Sequence, residues 1–133
     1  MKRKSDPCIK EATMTAKEII YQVCDYFHVD ENFINTTKRD EEIIKVKHIA
    51  VYFIKKYTDL THKGAGRYFV GRNSYYDHAS VIHAVNAVNN RYDTDPIYRK
   101  QVDEIDMLIS GKIASEIYYE HSEIYMENDF YKN

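Results

Sequence analysis

The chain is 133 residues long and 44% of them are hydrophobic, which is enough for the core of one domain, with or without a tail. It has no run of eighteen apolar residues and no apolar stretch near its N-terminus, so neither a membrane span nor a signal peptide is predicted. Its two cysteines lack C-x-x-C spacing, which favours reduced thiols in a cytoplasmic protein over a disulfide or a metal site.

The formal net charge of −2 hides an uneven distribution of charged residues. Residues 38–91 carry ten Lys or Arg and five Asp or Glu, whereas residues 92–133 carry four basic and ten acidic residues. A basic middle followed by an acidic tail is typical of a nucleic-acid-binding domain with an added regulatory or solubilising segment.

The N-terminal part predicts two helices behind a leader. Residues 1–14 are polar and are expected to be mobile. Thr15 and Glu18 have the spacing of a capping box and open a predicted helix over about 16–28. Its apolar stripe consists of Ile19, Ile20, Val23 and Phe27. Asp30 is a good N-cap for a short second helix.

A longer third helix is predicted over about 43–57. Its buried stripe consists of Val46, Ile49, Ala50, Phe53 and Tyr57. Four lysines lie off this stripe and are expected on a solvated face: Lys45, Lys47, Lys55 and Lys56. The preceding loop, 37–42, ends in three carboxylates, which favour the positive end of the helix dipole.

The next segment predicts a helix-turn-helix. A helix over about 61–69 contains Gly64 and Gly66, each of which costs about 1 kcal/mol relative to Ala, so this helix depends on its neighbours. These glycines match neither phosphate-binding loop motif, and nucleotide binding is not expected. Gly71 can take the positive φ that such turns often need. Residues 73–76 either lengthen that turn or add a helical turn before the next helix.

The helix that begins near Asp77 has two unlike faces. Its apolar face contains Val81, Ala84, Val85 and Val88, and its opposite, small and polar face contains Ala79, His83, Asn86 and Asn90. Such a helix suits the major groove of DNA, and equally an ordinary protein surface. Asp77 either caps the helix or accepts a hydrogen bond from cytosine. His78 and His83 lie about 140° apart around the axis, which argues against a zinc site.

The C-terminal part predicts a further helix and an acidic extension. Asp95 as N-cap and Pro96 at the first helical position open a helix to about residue 109, which Gly111 then interrupts. Residues 112–127 carry a partial apolar face. They form either one more helix packed on the same domain, or a helix for self-association or for a protein partner.

Residues Gly71-Arg72 and Asp77-His78-Ala79-Ser80-Val81-Ile82-His83-Ala84 resemble the pattern G-R-D-H-[ST]-T-V-x-H-A. This pattern belongs to the DNA-binding domain that ends bacterial chromosomal replication initiators of the DnaA family. Gly66 and Phe69 also match that family's pattern in the preceding helix. The chain departs from the family by the insert 73–76, and by Ala79 where the family has a hydroxyl.

The resemblance covers residues 15–110 and leaves 111–133 as an extra acidic helix or tail. It implies an all-α fold of five or six helices, with a helix-turn-helix of the Trp-repressor and DnaA C-terminal type and without the initiator's ATPase domain.

The resemblance also implies contacts with double-stranded DNA. The helix from Asp77 would read the major groove, Arg39 would enter the minor groove, and basic side chains would hold phosphates. The predicted DNA-binding residues are Lys38, Arg39, Lys45, Lys47, Lys55, Lys63, Arg72, Asp77, His78, Ala79, Ser80 and His83. The carboxylates at 40–42 stand where the family is neutral or basic, and near phosphates they would weaken binding.

The predicted function is therefore sequence-specific binding of duplex DNA, in the control of replication initiation or in transcription regulation. The alternative is a protein-interaction module that has kept the fold and lost DNA readout. No nucleophile–base pair or metal-ligand spacing stands out, so an enzyme, a cofactor or a metal is not predicted.

Overall fold

The computed structural model describes residues 14–72 and 74–132, with residues 116–132 described by their backbone alone. This part of the chain forms six helices, which confirms the predicted all-α fold. They are α1 (Ala16–Tyr26), α2 (Glu31–Ile34), α3 (Glu41–Tyr57), α4 (His62–Gly66), α5 (His78–Thr94) and α6 (Pro96–Lys132). No helix in these residues combines the length and the apolar composition that crossing a bilayer requires.

The first helix begins at the predicted capping box. The Thr15 hydroxyl accepts from the Glu18 amide at 3.2 Å, and the Thr15 amide donates to the Glu18 carboxylate at 2.9 Å. Met14 is only 5% exposed and belongs to the core, so the prediction that the mobile leader extends to residue 14 is wrong at this position. Residues 1–13 of that leader lie outside the described residues.

The core is organised around α3, which packs against α1, α2, α4 and α5. Four of the five residues of the predicted stripe, Val46, Ile49, Ala50 and Phe53, are inaccessible to solvent, and the fifth, Tyr57, is half-buried. Each large side chain of this kind contributes about 1.5–3 kcal/mol on burial. The central helix thereby fixes the elements that flank it on both sides.

The helix-turn-helix consists of α4, a long turn and α5. The Thr61 hydroxyl caps α4 by accepting from the Gly64 amide at 3.0 Å. The helix ends at Gly66, three residues earlier than predicted. A Cβ on Gly66 would lie 2.2 Å from the carbonyl oxygen of Tyr76, so only glycine lets the chain after the turn cross here.

Residues 74–76 of the insert belong to a lengthened turn that forms a small hairpin. Val70 and Tyr75 form an antiparallel bridge, and the Tyr76 amide donates to the Phe69 carbonyl at 2.9 Å. The Tyr76 ring packs against Phe69, whereas Tyr75 is 60% exposed. Gly71 does not adopt a positive φ. It instead permits a close approach, because a Cβ at this position would lie 3.1 Å from the Ser74 carbonyl oxygen.

The last helix is longer than predicted. Asp95 caps it as expected, since its carboxylate accepts from the Ile97 and Tyr98 amides at 3.1 Å each. The predicted interruption at Gly111 is wrong, because α6 continues through this position to Lys132. Contacts of the preceding turns with the core hold the helix, and Ile113 still packs against that core. Residues 112–127 therefore extend the same helix.

Tyrosine hydroxyls attach α6 to three other helices. Tyr26 of α1 donates to Glu104, Tyr57 of α3 donates to Asp106, and Tyr92 of α5 donates to Asp103 at 2.7 Å. Lys56 of α3 adds an ion pair with Asp106 at 2.6 Å. Because these bonds run to three helices, they fix both the position and the rotation of α6.

Candidate nucleic-acid interface

An open groove separates the loop before α3 from the beginning of α5. Its floor is the N-terminal half of α3, and the hairpin closes one end. The lining residues are Thr37, Lys38, Arg39, Ile44, Lys47, His48, Val70, Gly71, Arg72, Tyr76, Ala79, Ser80 and His83. This set contains four Lys or Arg and two His but no carboxylate. The groove therefore has the electrostatic character of a site for a polyanion.

The wall formed by α5 presents the small and polar face that the sequence predicts. Ala79 and His83 are exposed, Ser80 is half-buried, and all three line the groove. The apolar residues of α5 face the core, where Val81, Ala84 and Val88 are buried. A helix presented in this way leaves its first two turns free for a ligand in the groove.

Asp77 serves as the N-cap of α5. Its carboxylate accepts from the Ser80 amide at 2.8 Å, and hydrogen bonds from Ser80 hold the pKa of Asp77 below its usual value. The capping alternative for this residue is thus the one that the structure contains. Asp77 does not line the groove.

The opposite wall carries the two exposed cations of the loop, Lys38 and Arg39. The Lys38 amide donates to the Thr36 hydroxyl at 3.2 Å, which bends the loop. Glu41 and Glu42 lie in the first turn of α3 and are exposed. None of the three carboxylates at 40–42 lines the groove.

The prediction that Lys47 lies on the solvated face of α3 is wrong. Its side chain is 2% exposed, and its ammonium donates to the carbonyl oxygens of Thr36 at 2.8 Å and Val70 at 2.7 Å. Burial, and secondarily the charge of Arg39, lowers the pKa of Lys47. Lys47 lies four residues from Ile43 and four from Val51, which are both buried. This helical spacing was the signal in the sequence that Lys47 lies on a buried face of α3.

His48 is a floor residue that sequence reasoning missed. Its ring lies edge-on to that of His83, with 5.6 Å between the centroids. Burial lowers the pKa of His48 to about 4, with smaller contributions from His83, Lys47 and Arg39. His48 is therefore neutral at neutral pH. A single histidine on a helix carries no sequence signal for such a position.

The other predicted residues lie outside the groove lining. Lys45 places its ammonium 5.1 Å from the centre of the Phe27 ring. Lys55 donates to the Leu60 carbonyl at 2.7 Å, and Lys63 is exposed on α4. His78 is exposed on α5, and its ring lies 5.0 Å from that of His62. Burial, followed by the charges of Lys55 and His78, lowers the pKa of His62.

No group of three or more His, Cys, Asp or Glu suited to a metal ion occurs in the part of the chain that the structure describes. Cys24 is buried, and this burial, with the nearby charges of Glu31 and Asp30, raises the pKa of its thiol to about 11. This protonated and packed cysteine matches the prediction of an unreactive core thiol.

Comparison with known families gives an independent assignment. The family described as bacterial DnaA protein helix-turn-helix matches residues 16–88, from the first residue of α1 into α5. The chain belongs to this DnaA helix-turn-helix family. The matched segment contains both walls of the groove, and the resemblance found in the sequence is confirmed.

Three curated relatives illustrate the relationship, and each is a chromosomal replication initiator protein DnaA. The one from Bacteroides thetaiotaomicron is 32% identical over 99 residues, which is 74% of this chain and 20% of the relative. The one from Bacteroides fragilis is 30% identical over 85% of this chain and 23% of its own length. The one from Wolbachia pipientis is 36% identical over 72% and 19%. The chain thus spans about a fifth of these DnaA relatives.

Proposed function

We propose that this DnaA-type domain binds double-stranded DNA sequence-specifically through the groove. The observation that carries the proposal is the convergence of Lys38, Arg39, Arg72, Ser80 and His83 on a surface without carboxylates. These residues come from a loop, a hairpin and a helix. Side chains that converge in this way can contact a duplex at two kinds of site at once, the base edges in a groove and the phosphates beside it.

The proposed major-groove reader is the beginning of α5. The major groove is about 12 Å wide and accepts an α-helix. Ser80, His78 and His83 supply hydrogen-bonding groups, and Ala79 supplies a methyl suited to thymine. Asp77 then acts through the capping of α5 instead of through a base. Readout comes from the helix face that the core leaves free.

The proposed minor-groove contact is Arg39, which stands on the opposite wall. A narrow A/T-rich minor groove concentrates negative potential and attracts an arginine. Exposed Lys38, Lys63 and Arg72 hold phosphates. Lys47 is excluded from this set because its ammonium is buried and already hydrogen-bonded.

The biological role follows the relatives, whose names describe initiators of chromosomal replication. This chain would act in the control of replication initiation, or in transcription regulation at similar DNA sites. Base-specific recognition serves both roles.

The test is fluorescence anisotropy of a labelled initiator-box duplex against a scrambled duplex, each at two salt concentrations. Tighter binding to the box that weakens with salt is expected. Arg39→Ala should lower affinity most for A/T-rich sites, because it removes a minor-groove contact. Lys17→Ala, an exposed lysine on α1 outside the groove, is the matched control and should change nothing. Equal and weak binding of both duplexes would contradict the proposal.

A second candidate function, protein interaction, is favoured by the exposed apolar residues of α6. Met107 is 72% exposed and the adjacent Leu108 is 48% exposed, on the side of α6 that faces away from the core. The predicted partner segment, 112–127, follows on the same helix, and its side chains from 116 onward lie outside the described residues. Sedimentation equilibrium of the wild type and of Leu108→Lys tests it. If the wild type and Leu108→Lys are both monomers, self-association through this surface is excluded.

A further inference from the structure

Lys47 is the one charged side chain that is buried in the described part of the chain. It lies on α3 next to Val46 and between Ile43 and Val51, which are all buried. An ammonium ion in such a place loses its water shell, which disfavours burial unless its donors are bonded. A residue of this kind at the floor of the proposed interface requires a physical reason.

The reason lies in what the ammonium binds. It donates to the Thr36 carbonyl at 2.8 Å and to the Val70 carbonyl at 2.7 Å, and it lies 5.1 Å from the centre of the Tyr76 ring. An ammonium has three donors, and two carbonyls and one aromatic face account for them. No donor remains for a DNA phosphate, and exposed Lys38 is better placed for that contact.

The two carbonyls belong to two separate segments that border the groove, the loop before α3 and the hairpin. Thr36 lies three residues before Arg39 in the loop before α3, and Val70 lies two residues before Arg72 at the base of the hairpin. Among the described residues, the loop before α3 and the hairpin share no direct hydrogen bond, and the two hydrogen bonds of Lys47 connect them. One side chain therefore joins the loop that carries the proposed minor-groove contact to the hairpin that carries Arg72 and leads into α5.

We propose that Lys47 is a positioning residue that holds the Arg39 loop and the hairpin before α5 at a fixed separation, so that both reach the duplex together. This inference rests on the proposed DNA-binding function. A site held in its bound geometry avoids the entropy cost of ordering its loops on binding. Lysine suits the task because a shorter or apolar side chain would leave both carbonyls without a donor.

Salt dependence separates a positioning residue from a phosphate contact. Anisotropy with the box duplex is measured over a series of salt concentrations for Lys47→Met, which keeps an unbranched side chain, one atom shorter, and removes the ammonium. We expect about tenfold weaker binding with an unchanged slope of log K against log salt, because no counterion-releasing contact is lost. Lys38→Met should reduce the slope by about one, and Lys17→Met should alter neither quantity. A slope reduced by about one in Lys47→Met would overturn the inference.

A double-mutant cycle identifies the loop through which Lys47 acts. If Lys47 positions Arg39, then Arg39→Ala costs much less box affinity in the Lys47→Met background than in the wild type. Additive losses would mean that Lys47→Met acts through general destabilisation, and they would overturn the positioning role.

A measurement on the wild-type protein covers the case in which Lys47→Met fails to fold. In the ¹⁵N-labelled protein, the Lys47 ammonium should give a resonance with slow hydrogen exchange that adding the duplex changes little. Rapid exchange of this signal in the free protein would overturn the inference whether or not DNA binds. Failure of the wild type to prefer the box would instead overturn the proposed function, and the positioning role with it.

Discussion

At the scale of single residues, the abundance of tyrosine has a structural use. The chain contains thirteen tyrosines and no tryptophan. Three of the tyrosine hydroxyls reach carboxylates on α6 from α1, α3 and α5. A phenol combines an apolar ring for the core with a hydroxyl at its edge, so it can join two helices where their packed surfaces meet water.

Removing one of these hydroxyls should destabilise the fold. Tyr26→Phe deletes a hydrogen bond to the Glu104 carboxylate, and we expect a loss of about 1.5 kcal/mol in the free energy of unfolding by urea. Burial and this hydrogen bond raise the pKa of Tyr26 to about 12, so the neutral phenol is favoured. Tyr21→Phe, on the exposed side of the same helix, is the control and should cost almost nothing.

His48 should make stability depend on pH. Its pKa is about 4 in the folded protein against 6.5 for the free side chain, so the folded state favours the neutral ring. This contribution is complete above pH 6.5 and is lost as pH falls from there towards 4. Urea midpoints at pH 7 and pH 5 should therefore differ less in His48→Gln than in the wild type. An equal difference in both proteins would contradict the assignment.

Residues were predictable from sequence where their role is local. The capping roles of Thr15, Asp30 and Asp95 depend on amides within three residues, and these caps are present. The hydrogen-bond partners of Lys47 and the ring contact of His48 were not predictable, because these partners come from distant parts of the chain. For Lys47 the residue type also opposed its position, since lysine is rarely buried.

At the scale of elements, two glycines in helices should respond oppositely to the same change. Gly66→Ala places a Cβ 2.2 Å from the backbone oxygen of Tyr76, so a backbone shift is required and we expect a loss of about 3 kcal/mol or more. Gly111→Ala meets nothing within 4 Å and should stabilise α6 by up to about 1 kcal/mol. Thermal unfolding of both variants checks this. A stable Gly66→Ala protein would refute the close crossing.

The hairpin should contribute to DNA affinity if the groove binds a duplex as proposed. Tyr75 is exposed two residues before the N-cap of α5, within about 8 Å of it along the chain. We expect Tyr75→Ala to weaken box binding about threefold to tenfold, in line with the loss of an aromatic contact to sugar and phosphate. Tyr21 on α1 is exposed to a similar extent, and Tyr21→Ala should not change the affinity for the box duplex. Tighter binding by Tyr75→Ala would show instead that the hairpin obstructs the duplex.

Helices with strong local signals were predictable, and their ends were less so. Apolar spacing and caps predicted α1, α3 and α5 closely. The end of α4 and the course of the insert were not fixed by local signals, since they depend on the crossing between Gly66 and Tyr76. The continuation of α6 through Gly111 also has a nonlocal cause, because core contacts on both sides of the glycine outweigh its low helix propensity.

At the scale of the whole molecule, the fold followed from the family pattern, whereas the interface required the structure. The sequence distribution of charge predicted a basic middle, but it could not show that the carboxylates at 40–42 lie outside the groove lining. Lysines that share a helix also separate in space, since Lys45 faces Phe27 and Lys55 binds Leu60. Sequence places charges along the chain, and packing decides which of them share a surface.

The proposed interface predicts the salt dependence of DNA binding for the whole domain. Four exposed cations are assigned to the duplex: Lys38, Arg39, Lys63 and Arg72. Each neutralised phosphate contributes about −0.9 to the slope of log K against log salt, so a slope of about −3 to −4 is expected. A slope near zero in the anisotropy titration would exclude this arrangement of contacts.

The crossing at Gly66 limits which sequences can carry this turn. The carbonyl oxygen that approaches Gly66 belongs to Tyr76, which is the last residue of the insert. A sequence that keeps this turn therefore cannot place a side chain at position 66 without moving the backbone of the hairpin. Glycine at this position and the length of the turn are expected to change together.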